Sequence, residues 1–285
     1  MVTTGVGPSA DAPSPRPFLR WAGSKRWLVP VLLARRPEEI GTYYEPFLGG
    51  GSLFFALQPR SAVLSDALSP LVETYRAVRD NPTAVIGHLR RMKPDRELFE
   101  AVRKRHGRGA YRRAADFIYL NRTGWNALYR VNSRGQYNVP YGRPKTDRLI
   151  DEANLKTCAQ LLAQPDVEVL TTDFEDAVSG ANAGDLIFFD PPYVTGHNNN
   201  GFVDYNEQLF RWSDQKRLAR LANELNAGGV HVIVTNAQHD AVLELYAGFR
   251  SESVSRWSTI AGAKESRGPV SEAVLWSKGL IPRDG

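Results

Sequence analysis

The run Leu186-Ile187-Phe188-Phe189-Asp190-Pro191-Pro192-Tyr193 constrains the fold of this chain more than any other segment. Four consecutive apolar residues predict a strand buried on both faces, as in a parallel sheet covered by helices. Two prolines then end it, because proline lacks a backbone donor and cannot continue a central strand. Asp190 and Tyr193 are left at the carboxyl end of that strand, the edge of an open α/β sheet at which ligands bind. There Asp190 and the Pro191 carbonyl can each accept an N–H, and Tyr193 can stack on a planar ring.

An earlier segment repeats the strand-and-turn logic. Tyr43-Tyr44-Glu45-Pro46-Phe47 reads as a short strand, Leu48-Gly49-Gly50-Gly51-Ser52 as a tight turn, and Leu53 to Leu57 as the start of a helix. Ala62-Val63-Leu64-Ser65-Asp66 is a second strand ending in an acid, and Ser69-Pro70 reads as the cap and first turn of the next helix. This is one βαβ nucleotide-binding half. Asp66 follows Glu45 by 21 residues, close to the offset at which an acid meets a ribose hydroxyl. The glycines do not follow Gly-x-Gly-x-x-Gly, so a pyrophosphate is not indicated. Three in a row allow close backbone approach to a ligand of low charge, and a nucleoside with an amino-acid tail, S-adenosylmethionine, fits. Before this half, a helix is expected from Lys25 to Ala34. A second α/β portion begins near residue 150. It has strands at Val167–Leu170 (ending at Asp173-Phe174), Leu186–Phe189 and Val230–Val234, a helix capped by Ser213, and closing strands around 249–257 and 272–276.

Between the two portions the charge changes sign. From Arg76 to Arg148 there are 18 Lys/Arg and 6 Asp/Glu, a net of +12, against a net of −7 for the rest. A basic segment inside an acidic protein points to a polyanion contact. Val85, Ile86, Leu89 and Met92 share one helical face, and Tyr129–Val139 alternates around Ser133-Arg134-Gly135, which reads as a β-hairpin. An arginine suits guanine in the major groove, and a hairpin fits that groove's width.

The remaining features exclude other chemistries. Cys158 is the sole cysteine. It sits in a helix-like stretch and reads as a small buried hydrophobe, which disfavours a cysteine nucleophile of the cytosine-ring type and fits a reducing cytoplasm. The five histidines show no metal-ligand spacing, so no metal is expected. No apolar run is long enough to span a bilayer. Residues 1–16, rich in Pro, Ser, Ala and Gly, are expected to form a disordered tail. The loop Thr195–Gly201, with His197-Asn198-Asn199-Asn200, is expected to close over substrate.

The chain carries, in order, Trp21-Ala22-Gly23-x-Lys25, Glu45-Pro46-Phe47-x-Gly49-x-Gly51-Ser52, Asn121–Arg130, Arg134-Gly135-x-Tyr137-Asn138-Val139-Pro140-Tyr141-Gly142-Arg143, and Asp190–Tyr193. These resemble the motifs of Dam-type (D12 class) DNA adenine-N6 methyltransferases, over nearly all residues from Phe18 to about Lys278. The resemblance implies an α/β fold: a Rossmann-like class I methyltransferase sheet with helices on both faces, plus an inserted helical/β-hairpin recognition domain. It divides the chain into a catalytic S-adenosylmethionine-binding domain at 17–75 and 146–285 and a target-recognition domain at 76–145. It implies methyl transfer to the N6 amine of adenine in double-stranded DNA by base flipping, at a GATC-like site, in a prokaryotic or phage setting; a monomer is the default expectation for its oligomeric state.

By the same resemblance, Asp190, Pro191, Pro192 and Tyr193 are catalytic. Trp21, Ala22, Gly23, Lys25, Glu45, Pro46, Phe47, Gly49, Gly51, Ser52, Asp66, Asp173, Phe174 and Asp190 line the cofactor site. Arg20, Asn121, Arg122, Trp125, Asn126, Leu128, Arg130, Asn138, Pro140 and Arg143 contact DNA. Arg130 reads the guanine next to the target, and Asn126 with Trp125 probes the gap left by a displaced base. Arg20 stands where the best-known members carry a lysine, and Pro144 where they carry an aromatic, so the site is expected to be GATC-like without being fixed as GATC. Alternatives are the exocyclic amine of cytosine, adenine in RNA, or a non-catalytic DNA-binding protein on the same scaffold.

Overall fold

The computed structural model describes residues 14–105, 107–193, 210–257 and 269–280. Its centre is a seven-stranded sheet of order β3-β2-β1-β4-β5-β7-β6. The strands are β1 (Tyr43–Glu45), β2 (Ala62–Asp66), β3 (Val167–Thr171), β4 (Leu186–Phe189), β5 (His231–Ala237), β6 (Arg250–Trp257) and β7 (Pro269–Trp276). The first five pair in parallel, while β7 runs antiparallel to both β5 and β6. The chain winds outward from β1 through β2 to β3, then returns to lay β4 on the other side of β1. The strand order therefore reverses between β1 and β4, and the crevice beyond their carboxyl ends is where doubly wound sheets bind ligands.

The apolar run of β4 is buried along its whole length. Leu186 and Phe188 face one core, with Phe54, Leu64, Val78 and Ile118. Ile187 and Phe189 face the other, with Leu218, Ala222, Val232 and Tyr246. A two-residue side-chain period makes one strand serve both layers.

The helices are α1 (Val29–Ala34), α2 (Ser52–Leu57), α3 (Ser69–Asp80), α4 (Pro82–Leu89), α5 (Arg96–Lys104), α6 (Ala110–Thr123), α7 (Glu152–Leu162), α8 (Phe174–Ala177), α9 (Trp212–Ala227) and α10 (Asp240–Leu243). Asn81, Asp95 and Asp151 each cap the helix that follows, accepting from Ala84 N, Leu98 N and Asn154 N. α3 crosses residues 75 and 76 and places Tyr75 in the first core, and α4 to α6 share that core with the sheet through Val85, Leu89, Phe99 and Tyr119.

Several elements differ from expectation. α1 starts at Val29 rather than Lys25, because Pro30 is tolerated only in a first turn. The expected hairpin narrows to an isolated bridge, Val131↔Tyr137. The Asn132 carbonyl oxygen of the side chain accepts from Arg134 N and Gln136 N, each at 3.0 Å, so the side chain competes with a ladder for those donors. Ser213 lies inside α9, whose N-cap is Arg211; the Asp214 carboxylate accepts from Arg211 N at 2.8 Å. Likewise Leu68, not Ser69, is the N-cap of α3. Of the expected tail, Arg16 is tied to α7: its N and O both bond the Asn154 side chain, and its O accepts from the Cys158 thiol. Residues 1–13 and the loop Thr195–Gly201 lie outside the described residues. Cys158 is fully buried, and burial pushes its thiol up to about 12. It is the inert hydrophobe its sequence context suggested.

Candidate active site

The carboxyl ends of β4 and β5 and the amino-terminal half of the antiparallel β7 bring four charged or phenolic side chains into contact. Lys25 Nζ lies 2.7 Å from Asp190 Oδ1 and 3.0 Å from Oδ2. It also donates to Gly23 O at 2.7 Å, and it stands 4.9 Å from the centre of the Tyr193 ring. Thr235 Oγ1 donates to Asp190 Oδ1 at 2.6 Å. Tyr193 OH donates to Glu272 Oε2 at 2.9 Å, and Glu272 Oε2 is 3.8 Å from Lys25 Nζ. Lys25 and Glu272 are 4% and 3% exposed. Such burial is tolerable only because each charge is paired and hydrogen-bonded. Burial raises the Asp190 pKa above the ordinary carboxyl value; Lys25 first, then Thr235, work against the rise. Burial, with Asp190 and Glu272 alongside, holds Tyr193 well above its usual value, so it is a neutral phenol and a donor.

The turn after Asp190 is held from below. Gln215 Nε2 donates to Pro192 O at 3.2 Å, and Asn236 Nδ2 donates to Gln215 Oε1 at 2.9 Å. Gln215, Asn236 and Thr235 are all fully buried. The acid and the aromatic thus sit on a braced corner, not a free loop.

Across the crevice, the glycine turn follows β1. Gly49 and Gly51 have φ of +45° and +63°, the left-handed region open to glycine. Asp66 Oδ2 accepts from Gly49 N at 3.1 Å and its Oδ1 accepts from Leu68 N at 2.9 Å, while Ser52 Oγ is 2.8 Å from Ser24 Oγ. The space a side chain would fill is taken by the protein itself. A Cβ on Gly49 would lie 2.6 Å from Trp21 Cδ1, and one on Gly51 would crowd Phe55 and Leu48. The turn thus makes room for Trp21, which lies stacked near Phe117 and Tyr129.

Glu45 does not open into the crevice. It is 2% exposed, and its Oε2 accepts from Tyr43 OH at 2.8 Å and from Phe54 N at 3.1 Å. Burial drives its carboxyl up to about 8, so it is protonated at neutral pH. Pro46 is buried beside it, Ala22 is exposed, and Gly23 has φ of +80°. Phe47 stacks on Phe174 at 5.6 Å, with Phe210 edge-on to Phe47 at 5.5 Å. Asp173 caps α8 through Glu175 N and accepts from Arg217 at 2.9 Å.

The chemistry of this donor set fits a nucleoside with an amino-acid tail. Asp66 is a partly exposed carboxylate with lone pairs to spare for a diol, Phe47 and Phe174 offer aromatic faces, and Lys25 is a cation near a backbone carbonyl. Among the described residues no group of three His, Cys, Asp or Glu side chains could hold a metal, and no helix is long and apolar enough to cross a membrane.

The residues expected at DNA separate into two sets. Trp125, Asn126, Arg130, Pro140 and Arg143 are exposed, Trp125 by 51%. Arg130 Nε donates to Asn138 Oδ1 at 2.8 Å, and Leu128 is half-buried. Asn126 and Arg143 hold left-handed φ of +51° and +50°. Asn121 and Arg122 instead turn inward. Asn121 is buried and clamps Arg20, accepting from Arg20 N at 3.0 Å and donating to Arg20 O at 2.6 Å. Arg122 Nε donates to Leu149 O at 2.6 Å; burial, then nearby Arg20, lowers it to about 10. The helical face of α6 packs them inside. Asn121 positions the Arg20 backbone, whose side chain is exposed, while Arg122 ties α6 to Leu149.

Thr235, Glu272, Gln215 and Phe210 escaped the reading of the sequence. Thr235-Asn236 had a signal: a polar pair ending an apolar strand, as Asp190 ends β4. Glu272, one acid in an otherwise apolar strand, had only that oddity.

Comparison with known proteins is consistent across the chain. The family model described as D12 class N6 adenine-specific DNA methyltransferase matches residues 21–260. The Type II methyltransferase M1.LlaDCHI of Lactococcus lactis subsp. cremoris is 35% identical over 93% of this chain and 96% of its own. The Type II methyltransferase M.MjaIII of Methanocaldococcus jannaschii is 33% identical, covering 84% and 90%. The DNA adenine methylase of Haemophilus influenzae is 29% identical, covering 91% and 92%. With a model spanning most of the chain and relatives matched nearly end to end, this protein belongs to the D12 class of N6 adenine-specific DNA methyltransferases.

Proposed function

We propose that the protein binds S-adenosylmethionine in the crevice between β1 and β4 and methylates N6 of an adenine flipped out of duplex DNA, at a GATC-like site. The observation that carries this reading is the braced pair of Asp190 and Tyr193 at the strand-order reversal, facing the glycine turn. When bound, S-adenosylmethionine supplies a methyl group on a positively charged sulfur.

The chain's residues supply the rest. The exocyclic amine of adenine is a weak nucleophile because its lone pair is delocalised into the ring. Asp190 and the Pro191 carbonyl accept its two N–H groups and draw the nitrogen toward tetrahedral geometry, freeing the lone pair. Tyr193, its hydroxyl fixed on Glu272, presents its ring face to the base. Asp190, with a pKa already raised by burial, is the nearest acceptor for the proton the amine then loses. Catalysis is placement and charge stabilisation. Asp66 takes the ribose hydroxyls, the stacked pair of Phe47 and Phe174 forms the aromatic wall beside the cofactor's adenine, and Lys25 with Trp21, Gly23 and Ser52 closes the amino-acid end.

Residues 76–145 serve as the target-recognition segment. Arg130 and Asn138 read the neighbouring guanine, Trp125 and Asn126 fill the vacated stack, and Arg20 and Arg143 meet the flanks. The test is methyl transfer from tritiated cofactor to duplexes carrying GATC or single-base variants of it. N6-methyladenine should be the product, and 2-aminopurine at the target position should brighten on binding. Label recovered as N4-methylcytosine, or transfer to RNA alone, would overturn the reading.

A further inference from the structure

The corner proposed to hold the target base has an unusual backbone. Pro191 and Pro192 carry no N–H. Two successive residues of the turn therefore offer no donor, and the backbone there can be held by its carbonyls. The function proposed above leaves the Pro191 carbonyl free for the adenine amine. The next carbonyl, Pro192 O, accepts from Gln215 Nε2 of α9 at 3.2 Å. Gln215 Oε1 accepts from Asn236 Nδ2 of β5 at 2.9 Å, and Asn236 Oδ1 accepts from the Ala237 backbone N–H at 2.8 Å. Gln215 and Asn236 are both fully buried.

This chain of amides has one direction. At one end stands a backbone N–H, which can only donate; at the other stands a backbone carbonyl, which can only accept. Each side-chain amide must therefore turn its oxygen toward Ala237 and its nitrogen toward Pro192, and a flip of either one breaks the chain. A linked set of buried hydrogen bonds of this kind rigidifies what it holds, and here the end of the chain is the corner itself. The neighbouring Thr235 donates to Asp190 Oδ1 at 2.6 Å. Successive residues of a strand point to opposite faces, so the end of β5 holds the corner twice. Thr235 fixes the acid, and Asn236, through Gln215, fixes the carbonyl two residues further on.

We propose that Gln215, oriented by Asn236, is a positioning residue of methyl transfer: by donating to the Pro192 carbonyl it sets the direction of the adjoining Pro191 carbonyl and the plane of the Tyr193 ring against the target adenine. It acts through the corner and not by contact with the reacting atoms. This rests on the assignment of Asp190, Pro191 and Tyr193 to the target base. The requirement is for a donor at the right reach, not for the bulk of the side chain.

Gln215→Met tests it, because methionine keeps the length of glutamine and has no hydrogen to give. The discriminating readout is a split between rate and affinity. With duplex and S-adenosylmethionine both saturating, the single-turnover rate should fall about tenfold to a hundredfold, the cost of a misplaced reacting group. The Kd values for duplex and for S-adenosylhomocysteine should stay within about twofold of the unsubstituted protein's, since the change removes placement and not binding. A purely structural role would weaken both ligands along with the rate. A folded Gln215→Met protein with an undiminished rate overturns the proposal, and so does a rate loss matched by equal losses of both affinities. If that variant does not fold, Gln215→Asn takes its place: its amide stops one methylene short of Pro192 O, and the same split is expected and the same outcomes overturn the proposal. Asp190→Ala separates the layers. If it still transfers methyl groups, the underlying assignment fails; if it is inactive while Gln215→Met behaves as the unsubstituted protein, only the role of Gln215 fails.

Discussion

The chemical centre and the segment proposed to read DNA are built in opposite ways. The centre hangs on the ends of β4, β5 and β7, and its polar groups are tied to one another: Lys25 with Asp190 and Glu272, Asp190 with Thr235, Tyr193 with Glu272. The stretch from Gly124 to Arg143 has a single 3-10 turn at Trp125–Ala127, the isolated bridges Gly124↔Tyr141 and Val131↔Tyr137, and exposed side chains at Trp125, Asn126, Arg130 and Arg143. A reaction that depends on placing one nitrogen needs rigid support. A surface that must follow a duplex gains from side chains not yet committed to partners within the protein. Even so, the reading segment is anchored at its root. Asn121 and Arg122 on α6 spend their polar groups on Arg20 and Leu149, and a Cβ on Gly142 would meet the Gly124 backbone at 2.7 Å.

Four substitutions test this contrast. The largest effect belongs to Asp190→Ala, which should lower single-turnover methyl transfer by about 10³-fold or more while duplex affinity stays nearly unchanged. Lys25 keeps Glu272 as a partner, so the fold should survive. Transfer near the normal rate would dissolve the distinction between centre and reader.

Next is Gly49→Ala. Its φ of +45° and the 2.6 Å approach to Trp21 combine backbone strain with overpacking, and about 2–4 kcal/mol of stability should be lost in chemical denaturation. An unaffected midpoint would mean that the turn is as adaptable as the reading segment.

Arg130→Ala should act the other way. Its exposed side chain bonds only Asn138 among the contacts described, so stability should hold within about 0.5 kcal/mol. Discrimination at the flanking guanine should drop by about 1–3 kcal/mol, read as kcat/KM on substituted duplexes. A uniform loss across all sequences would make Arg130 a phosphate contact.

A fourth test concerns pH. Glu45 in the folded protein has its pKa raised from near 4.5 to about 8 by burial, so between those values the folded state holds a proton the unfolded chain has lost. Stability is full below the lower value and falls as pH rises through about 8. Glu45→Gln should flatten that slope in thermal melts across the window. An identical slope would locate the titrating group elsewhere.

What could be read in advance follows the range of the interactions. The strand ending at Asp190, the glycine turn, the acid at the end of β2 and the helical face of Val85, Ile86, Leu89 and Met92 are all local patterns, and each matches an element or a buried face. Helix starts were less legible where capping was not by a side chain of the usual kind, as at Leu68 and Arg211. The hairpin's arms do pair, through Asn132 N to Gln136 O and Asn138 N to Arg130 O, but the pairing stays short because the Asn132 side chain takes donors a longer ladder would use. Asn121 and Arg122 look in sequence like two more polar residues of a basic segment; only the packing of α6 shows that they face inward.

The sequence by itself determined that this chain forms a parallel sheet with an acid and an aromatic at one strand's end, and it ordered the motifs of its family, because strand burial, proline termination and turn glycines act within a few residues. The tertiary structure decided what stands beside that acid. Lys25 is 165 positions from Asp190 in the chain, and Thr235 and Glu272 arrive on two other strands. Charge balance in a buried site is set by whatever the fold brings within a few ångströms, and local pattern carries no record of it.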